Sequence, residues 1–366
     1  GWYTLSLHDA LPILAARSLL SSASASPGLV AALGGDVVLP TSPQPVERMV
    51  LLDRYPAGVL TWLDATRGEV LAQLSLGVDF AANPHDYLEL GPHRAWVTRF
   101  EPHPGHDEGD DLVIVDPSLP AVVGRIPLEG AASELPAGSL VRPDKLLLAG
   151  GQVRVLCSAY SGDFLSSASS RLLSLEPDSG GITGVSTLEG YHGCAGLALS
   201  PDGEHLAVAC SGEFGGDSEP TLEGSGLVVL AVDEELRVEA RFDAEAFGRR
   251  PAGFGVAFAS DESVLLTTFG KRDPSTGATL VPDRLWSLRW RQDRAARLVL
   301  TASEPFVLGG VRCEPECGAC QVADAGAGAL RLLQTSTQGV TLRGQVALDD
   351  GTGLPPRELG LLLRGP

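Results

Sequence analysis

Three cysteines crowd one short segment, Cys313-Glu314-Pro315-Glu316-Cys317-Gly318-Ala319-Cys320. Their C-x3-C-x2-C spacing brings three soft sulfur ligands within reach of one another. A zinc tetrahedron would need a fourth ligand from elsewhere, and covalent haem would need His after the last Cys, where Gln321 stands. The simpler reading is a disulfide staple among Cys313, Cys317 and Cys320, with Cys157 as a further partner. Cys194 and Cys210 lie at equal distances from Asp202 of the turn Pro201-Asp202-Gly203. In plain hairpin register they face each other, and at a non-hydrogen-bonded position they are close enough to bond. Oxygen ligands gather in His103-Pro104-Gly105-His106-Asp107-Glu108-Gly109-Asp110-Asp111. There Asp107, Glu108, Asp110 and Asp111 offer the hard carboxylates that calcium prefers. The loop lacks the regular D-x-D-x-D-G spacing of a dedicated calcium loop, so a solvated acidic insertion competes with the metal reading. The second acidic segment, Glu213 to Glu223, reads as an exposed loop. Other chemistry finds no support, since the chain has no G-x-S-x-G elbow, no phosphate-cradling P-loop and no H-E-x-x-H.

These groups need a scaffold, and composition narrows the choice. Lys+Arg 27 against Asp+Glu 46 gives a net charge of -19, which repels phosphate backbones and anionic headgroups and argues against nucleic acid as a partner. Gly 44 and Pro 26 together make about a fifth of the chain, too many breakers for a helical bundle. A dinucleotide cofactor would require βαβ units, whose helices are missing from the pattern. No run reaches the roughly 18 to 20 apolar residues of a transmembrane helix.

One pattern recurs from near residue 37 onward, most clearly over 83 to 130. Asn83 to Leu90, Arg94 to Phe100, Leu112 to Val115 and Val122 to Leu128 alternate with turn residues as a four-stranded antiparallel meander. The third strand and its exit turn return in Val59-Leu60-Thr61-Trp62-Leu63-Asp64, Leu172-Leu173-Ser174-Leu175 and Leu227-Val228-Val229-Leu230. Second strands are expected at Met49 to Asp53, Trp96 to Arg99, Val153 to Cys157, Leu206 to Cys210, Val264 to Thr268 and Leu330 to Gln334. A single meander of this kind has two apolar faces and cannot offset its own ordering entropy, whereas radial stacking hides both faces and leaves only short edges. The expected fold is therefore all-β, a β-propeller of six four-stranded antiparallel blades. A seventh unit of count is left open, because the first blade could borrow a strand from the C-terminal Leu359 to Leu363 run. A one-turn helix is expected in the connection Ala244 to Arg249.

The landmarks Trp96-Val97-Thr98-Arg99 and Ile114-Val115-Asp116-Pro117, with Ser200-Pro201-Asp202-Gly203-Glu204-His205-Leu206-Ala207-Val208-Ala209 as strand-turn-strand, resemble the YVTN-repeat β-propellers, relatives of the quinoprotein amine dehydrogenase-like fold. Asn83-Pro84-His85-Asp86 and the order that follows also resemble uncharacterised secreted or lipid-anchored propellers of bacteria. The resemblance implies a scaffold that hosts binding proteins, lactonases and dehydrogenases alike. The C-x3-C-x2-C spacing is similar to the cluster motif of radical SAM enzymes, but Ala319 replaces the usual aromatic, the motif lies near the C-terminus and no α/β barrel follows.

In such a ring, residues leading into each innermost strand converge on the axis. Here they are Asn83, His85 and Asp86, then Arg142 and Asp144, then Tyr191 and His192, then Arg249 and Arg250. His85 and His192 could serve as acid/base or ligand groups, or could tie down backbone. Residues 1 to 34 are expected to be a tail: Trp2 to Ile13 resembles a translated adapter sequence, and Ala23-Ser24-Ala25 could pass for a signal-peptidase site. Residues 35 to 366 are expected to form a single propeller domain. The leading function is a non-catalytic, exported bacterial scaffold, periplasmic, outer-membrane-anchored or extracellular. It would act as a monomer that binds a protein, glycan or small molecule without a cofactor, calcium being the one ion its acidic loop could take. A metal-dependent hydrolase of the lactonase type is the alternative, and a propeller oxidoreductase stands behind it.

Overall fold

In the computed structural model the described residues run from 34 to 363, apart from 46, 66, 78, 133, 214–221, 294, 337–338 and 349–354. The expected tail, up to residue 33, and most of the Glu213 to Glu223 segment lie outside them. Among the described residues the chain forms six four-stranded antiparallel sheets, the blades of a propeller, each built from strands consecutive in space. Blade 1 holds Val37–Val38, Arg48–Asp53, Val59–Asp64 and Val70–Ser75. Blade 2 holds Tyr87–Gly91, Arg94–Pro102, Gly109–Asp116 and Ala121–Ile126, and blade 3 holds Pro143–Ala149, Gln152–Cys157, Arg171–Leu175 and Ile182–Thr187. Blade 4 is Cys194–Leu199, His205–Ser211, Ser225–Ala231 and Val238–Asp243. Blade 5 is Ala252–Ser260, Ser263–Thr268, Arg284–Arg289 and Arg297–Thr301, and blade 6 is Leu308–Glu314, Ala319–Asp324, Ala329–Ser336 and Gly339–Ala347. One turn of 3₁₀-helix, Ala244–Phe247, links blades 4 and 5; Asp243 caps it by accepting the Glu245 N–H at 3.0 Å.

Strand periodicity explains the stacking. On His205–Ser211, Leu206, Val208 and Cys210 join an apolar cluster shared with blade 3, while Ala207 and Ala209 join one shared with blade 5. Buried clusters fill the seams between blades 1 and 2, 2 and 3, 3 and 4, 4 and 5, and 5 and 6 in this way. A recurring polar latch keeps the seams in register. At the head of the third strand, a short oxygen side chain accepts a backbone N–H from where the next blade's inner strand begins. Asp110 takes Val141, Ser170 takes Cys194, Ser225 takes Ala252, and Asp283 takes Val307 and Leu308, at 2.7–3.1 Å.

The ring closes differently from the expectation. Leu362–Leu363 pairs in parallel with Gln44–Pro45 instead of adding a strand to blade 1. The preceding segment lies along the inner strand of blade 6, where the Gly310 N–H donates to the Arg357 carbonyl at 2.8 Å. At Gly309 a Cβ would fall 1.7 Å from that carbonyl, so only glycine admits the strap.

A second correction concerns blade 6. The second strand is Ala319–Asp324, and Leu330 to Gln334 belongs to the third. The cysteine segment is itself the first hairpin, with Cys313 paired opposite Cys320 and Gly318 at φ +63° in the turn.

Candidate functional site at the channel mouth

The inner strands begin on one face, and their lead-in residues enclose a cavity of about 440 Å³ on the axis. Asn83 and His85 come from blade 2, Asp144 and Lys145 from blade 3, Phe254 from blade 5, and Glu358 from the C-terminal strap. His85 is buried and stacks flat on Phe100, with ring centroids 4.1 Å apart. Its Nδ1 faces Asp144 Oδ1 at 3.1 Å, and Lys145 Nζ lies 3.6 Å from the same oxygen. Burial lowers the His85 pKa, with Asp144 pulling the other way. Burial also works to raise the Asp144 carboxyl, but His85, Lys145 and Arg54 outweigh it and hold the group below its ordinary range. Arg54 and Asp36 add a second charge pair to the lining, 2.5 Å apart. Asn83 Oδ1 is buried and without a hydrogen-bond partner. The floor thus combines fixed donors and acceptors of both signs, and Phe164 and Phe254, 41% and 49% exposed, stand beside it as apolar walls.

Of the residues read as a polar funnel, Asn83, His85 and Asp144 line this cavity, and the others do not. Asp86 is spent on architecture: it accepts the Thr41 and Tyr87 amides at 2.9 Å and the Leu146 amide at 2.8 Å, although burial pushes its carboxyl up. Arg142, at φ +51°, stands outside the cavity lining. Its guanidinium binds Glu101 at 2.7 Å and the Ser161 and Gly162 carbonyls at 3.2 Å, and lies 3.9 Å over the Phe164 ring. Arg142 therefore positions the loop that carries the apolar wall. His192 meets Ser167 Oγ at 3.1 Å and Glu213 at 3.4 Å, outside the cavity lining. Tyr191 is buried in the seam between blades 3 and 4, and Arg250 donates to the Pro282 carbonyl. Arg54, Lys145, Phe164, Phe254 and Glu358 escaped sequence reasoning; Lys145 and Phe254 had a detectable signal, because each sits within two residues of a position where an inner strand begins.

The four carboxylates read as calcium ligands do not converge. Asp111 forks onto Arg99 at 2.7 and 2.6 Å and reaches Arg125 at 2.6 Å. Glu108 lies 3.6 Å from Arg99, and Asp107 lies 3.3 Å from Arg125. Asp110 binds the Val141 and Arg142 amides, and burial pushes its carboxyl up to about 7. Cations and amides of neighbouring strands have taken the place a metal would need.

Two disulfides form, Cys194–Cys210 and Cys313–Cys320, the first as the hairpin register predicts. Cys157 is a free thiol, buried between blades 2 and 3 and away from the staple, and Cys317 is also free, at the one-turn helix inside the loop. The two bridges suit an oxidising, exported environment. No helix among the described residues is long and apolar enough to cross a membrane.

Fold and cavity together define a β-propeller with a ligand-sized hollow at one end of its axis. No protein-family model matches the chain, and no curated protein matches it. Similar solved structures include hydrazine synthase of Kuenenia stuttgartiensis, with TM-score 0.56, 12% identity and 92% of each chain covered. The WD40 domain of Toxoplasma gondii coronin gives TM-score 0.55 at 12% identity, over 85% of this chain and 73% of that one. A candidate 6-phosphogluconolactonase of Bacteroides fragilis gives TM-score 0.53 at 9% identity, over 87% and 86%. At these identities the likeness establishes the propeller fold alone.

Proposed function

We propose that the chain from residue 35 onward is a single, monomeric, non-catalytic binding propeller of the bacterial exported space, related to the YVTN-repeat propellers, that holds a saccharide ring at its channel mouth. The observation that carries this reading is the pairing of exposed Phe164 and Phe254 with a floor of buried His85 and Asp144 and half-buried Asn83 and Lys145 around about 440 Å³. Sugars present an apolar ring face and a hydroxylated rim, and such a ligand needs aromatic walls beside planar donors and acceptors. The lactonase alternative would require three or more acidic or His side chains from different blades to share one metal. Asp36, His85, Asp144 and Glu358 do line one cavity, but Asp36 is held by Arg54 and Asp144 by His85 and Lys145. That arrangement favours binding over hydrolysis.

A glycan array probed with the full chain, followed by calorimetry on the best saccharide, tests the reading. Phe254→Ala, at an exposed position, and Asp144→Asn are each expected to weaken binding at least about tenfold, a loss of about 1.4 kcal/mol. A blank array, or affinity unchanged in both variants, overturns it.

A further inference from the structure

The strand-turn-strand segment Ser200 to Ala209 carries groups that the channel mouth does not use. Its inner strand begins at the mouth with Cys194, so the turn Pro201-Asp202-Gly203 lies at the opposite face of the ring. There one ligand atom each from Asp202, Glu204 and His205 lies within 4.8 Å of the others, the single such gathering of three among the described residues. Acidic side chains on a turn mean little by themselves, because Asp202 Oδ1 also caps the turn by accepting the Ser200 hydroxyl and the Glu204 amide. The histidine is the independent observation. His205 is only 6% exposed, and its Nδ1 has no hydrogen-bond partner although it lies 3.8 Å from Asp202 Oδ1.

The far side of the same ring is fully furnished. Nε2 lies 3.2 Å from Glu239 Oε2 and 3.0 Å from an Arg291 guanidinium nitrogen, with Trp290 packed against the imidazole. A neutral imidazole carries one N–H, and which nitrogen holds it follows the half-exposed Arg291, which can only donate. With the proton on Nδ1, Nε2 accepts from Arg291. When the Arg291 side chain swings off Nε2, the proton sits there, the ring donates to Glu239 and a bare Nδ1 lone pair is turned toward Asp202. The second arrangement, carboxylate behind histidine, is the one that orients and strengthens an imidazole ligand.

We propose that His205 Nδ1, Asp202 and Glu204 bind one divalent transition-metal ion of the zinc class on the face opposite the channel mouth. One imidazole with two carboxylates suits a borderline ion and not calcium or magnesium, which favour all-oxygen shells. Ligand bonds of roughly 2.0–2.2 Å require donor atoms within about 4.2 Å of one another, which a small swing of the exposed Glu204 side chain supplies. Three protein ligands leave a fourth position for water or for a ligand atom from another molecule.

The test is calorimetric titration of the metal-stripped, tag-free full chain with zinc chloride at pH 7.5. One equivalent is expected to bind. Glu204→Gln and Asp202→Asn are each expected to weaken binding at least about tenfold, and Glu239→Gln by about 10- to 100-fold through loss of the carboxylate behind the ring. His205→Ala should abolish it; because that residue is buried, the exposed Glu204→Gln carries the test if the histidine variant fails to fold. Cys317→Ser should leave zinc affinity unchanged. Absence of saturable binding, equal affinity in Glu204→Gln and Asp202→Asn, or loss of binding in Cys317→Ser overturns the proposal.

Discussion

Two acidic turns of this propeller look alike in sequence and behave in opposite ways. The loop from His103 to Asp111 holds four carboxylates, and every one of them is engaged by an arginine or a backbone amide of the surrounding strands. The turn from Asp202 to His205 holds two carboxylates and an imidazole, and it keeps a buried nitrogen and an exposed carboxylate unengaged. The difference lies in the neighbours. Arg99 and Arg125 stand on the second and fourth strands of blade 2 and reach the first loop, whereas Arg291, beside the second, sits behind the histidine and is shared with Glu239. Carboxylate density alone therefore does not mark a ligand site; what matters is whether the fold has already supplied the cations.

The largest effect is expected from Asp111→Ala. It would strip the buried Arg99 guanidinium of its bidentate partner, and leaving a buried charge unpaired typically costs about 3–5 kcal/mol, read as a lowered urea midpoint. Next is the second turn's own staple. Replacing Cys194 and Cys210 together by Ser, or reducing that bridge, opens a loop with sequence separation 16 and should cost about 3 kcal/mol by loop entropy. Asp110→Ala should cost about 1–3 kcal/mol, because the Val141 and Arg142 amides lose their acceptor.

Asp110 also carries a pH signature. Burial raises its pKa from 3.8 to about 7 in the folded chain, so the folded state holds its proton more tightly than the unfolded one. Its contribution is complete below about pH 4 and is lost as the pH rises through about 7, and Asp110→Ala should flatten that part of a stability-against-pH curve. The smallest effects are expected at Asp107→Ala and Glu204→Gln, each within about 0.5 kcal/mol, since both side chains stand in solvent. A large loss at Glu204→Gln would mean that the second turn serves the fold in the same way as the first.

Much of the ring was legible because strand chemistry is local. Continuous apolar runs with polar exits marked the third strands, and the symmetry of Cys194 and Cys210 about Asp202 marked one disulfide. The sixth blade was misread by one strand because Cys313 to Cys320 looked like a loop, when Gly318 lets it turn as a hairpin. The site was half legible. Lead-in positions told which residues approach the axis, and so found His85 and Asp144. They did not tell that the Arg142 guanidinium lies over Phe164, or that Asp86 is consumed by three amides. Glu358 arrives on a strap more than 200 residues away from Asp144 in the chain, a proximity no local pattern encodes. The latch residues Asp110, Ser170, Ser225 and Asp283 did carry a signal, a short oxygen side chain recurring at the head of the third strand in blades 2 to 5.

The most direct measurement is hydrogen exchange of the full chain with and without the saccharide selected on the array. Slowed exchange at 83–86, 142–145 and 158–164, with 103–108 unchanged, is the expected result. Protection confined to the acidic loop or to the outer strands, with the channel mouth exchanging as before, would contradict a binding site on the propeller axis.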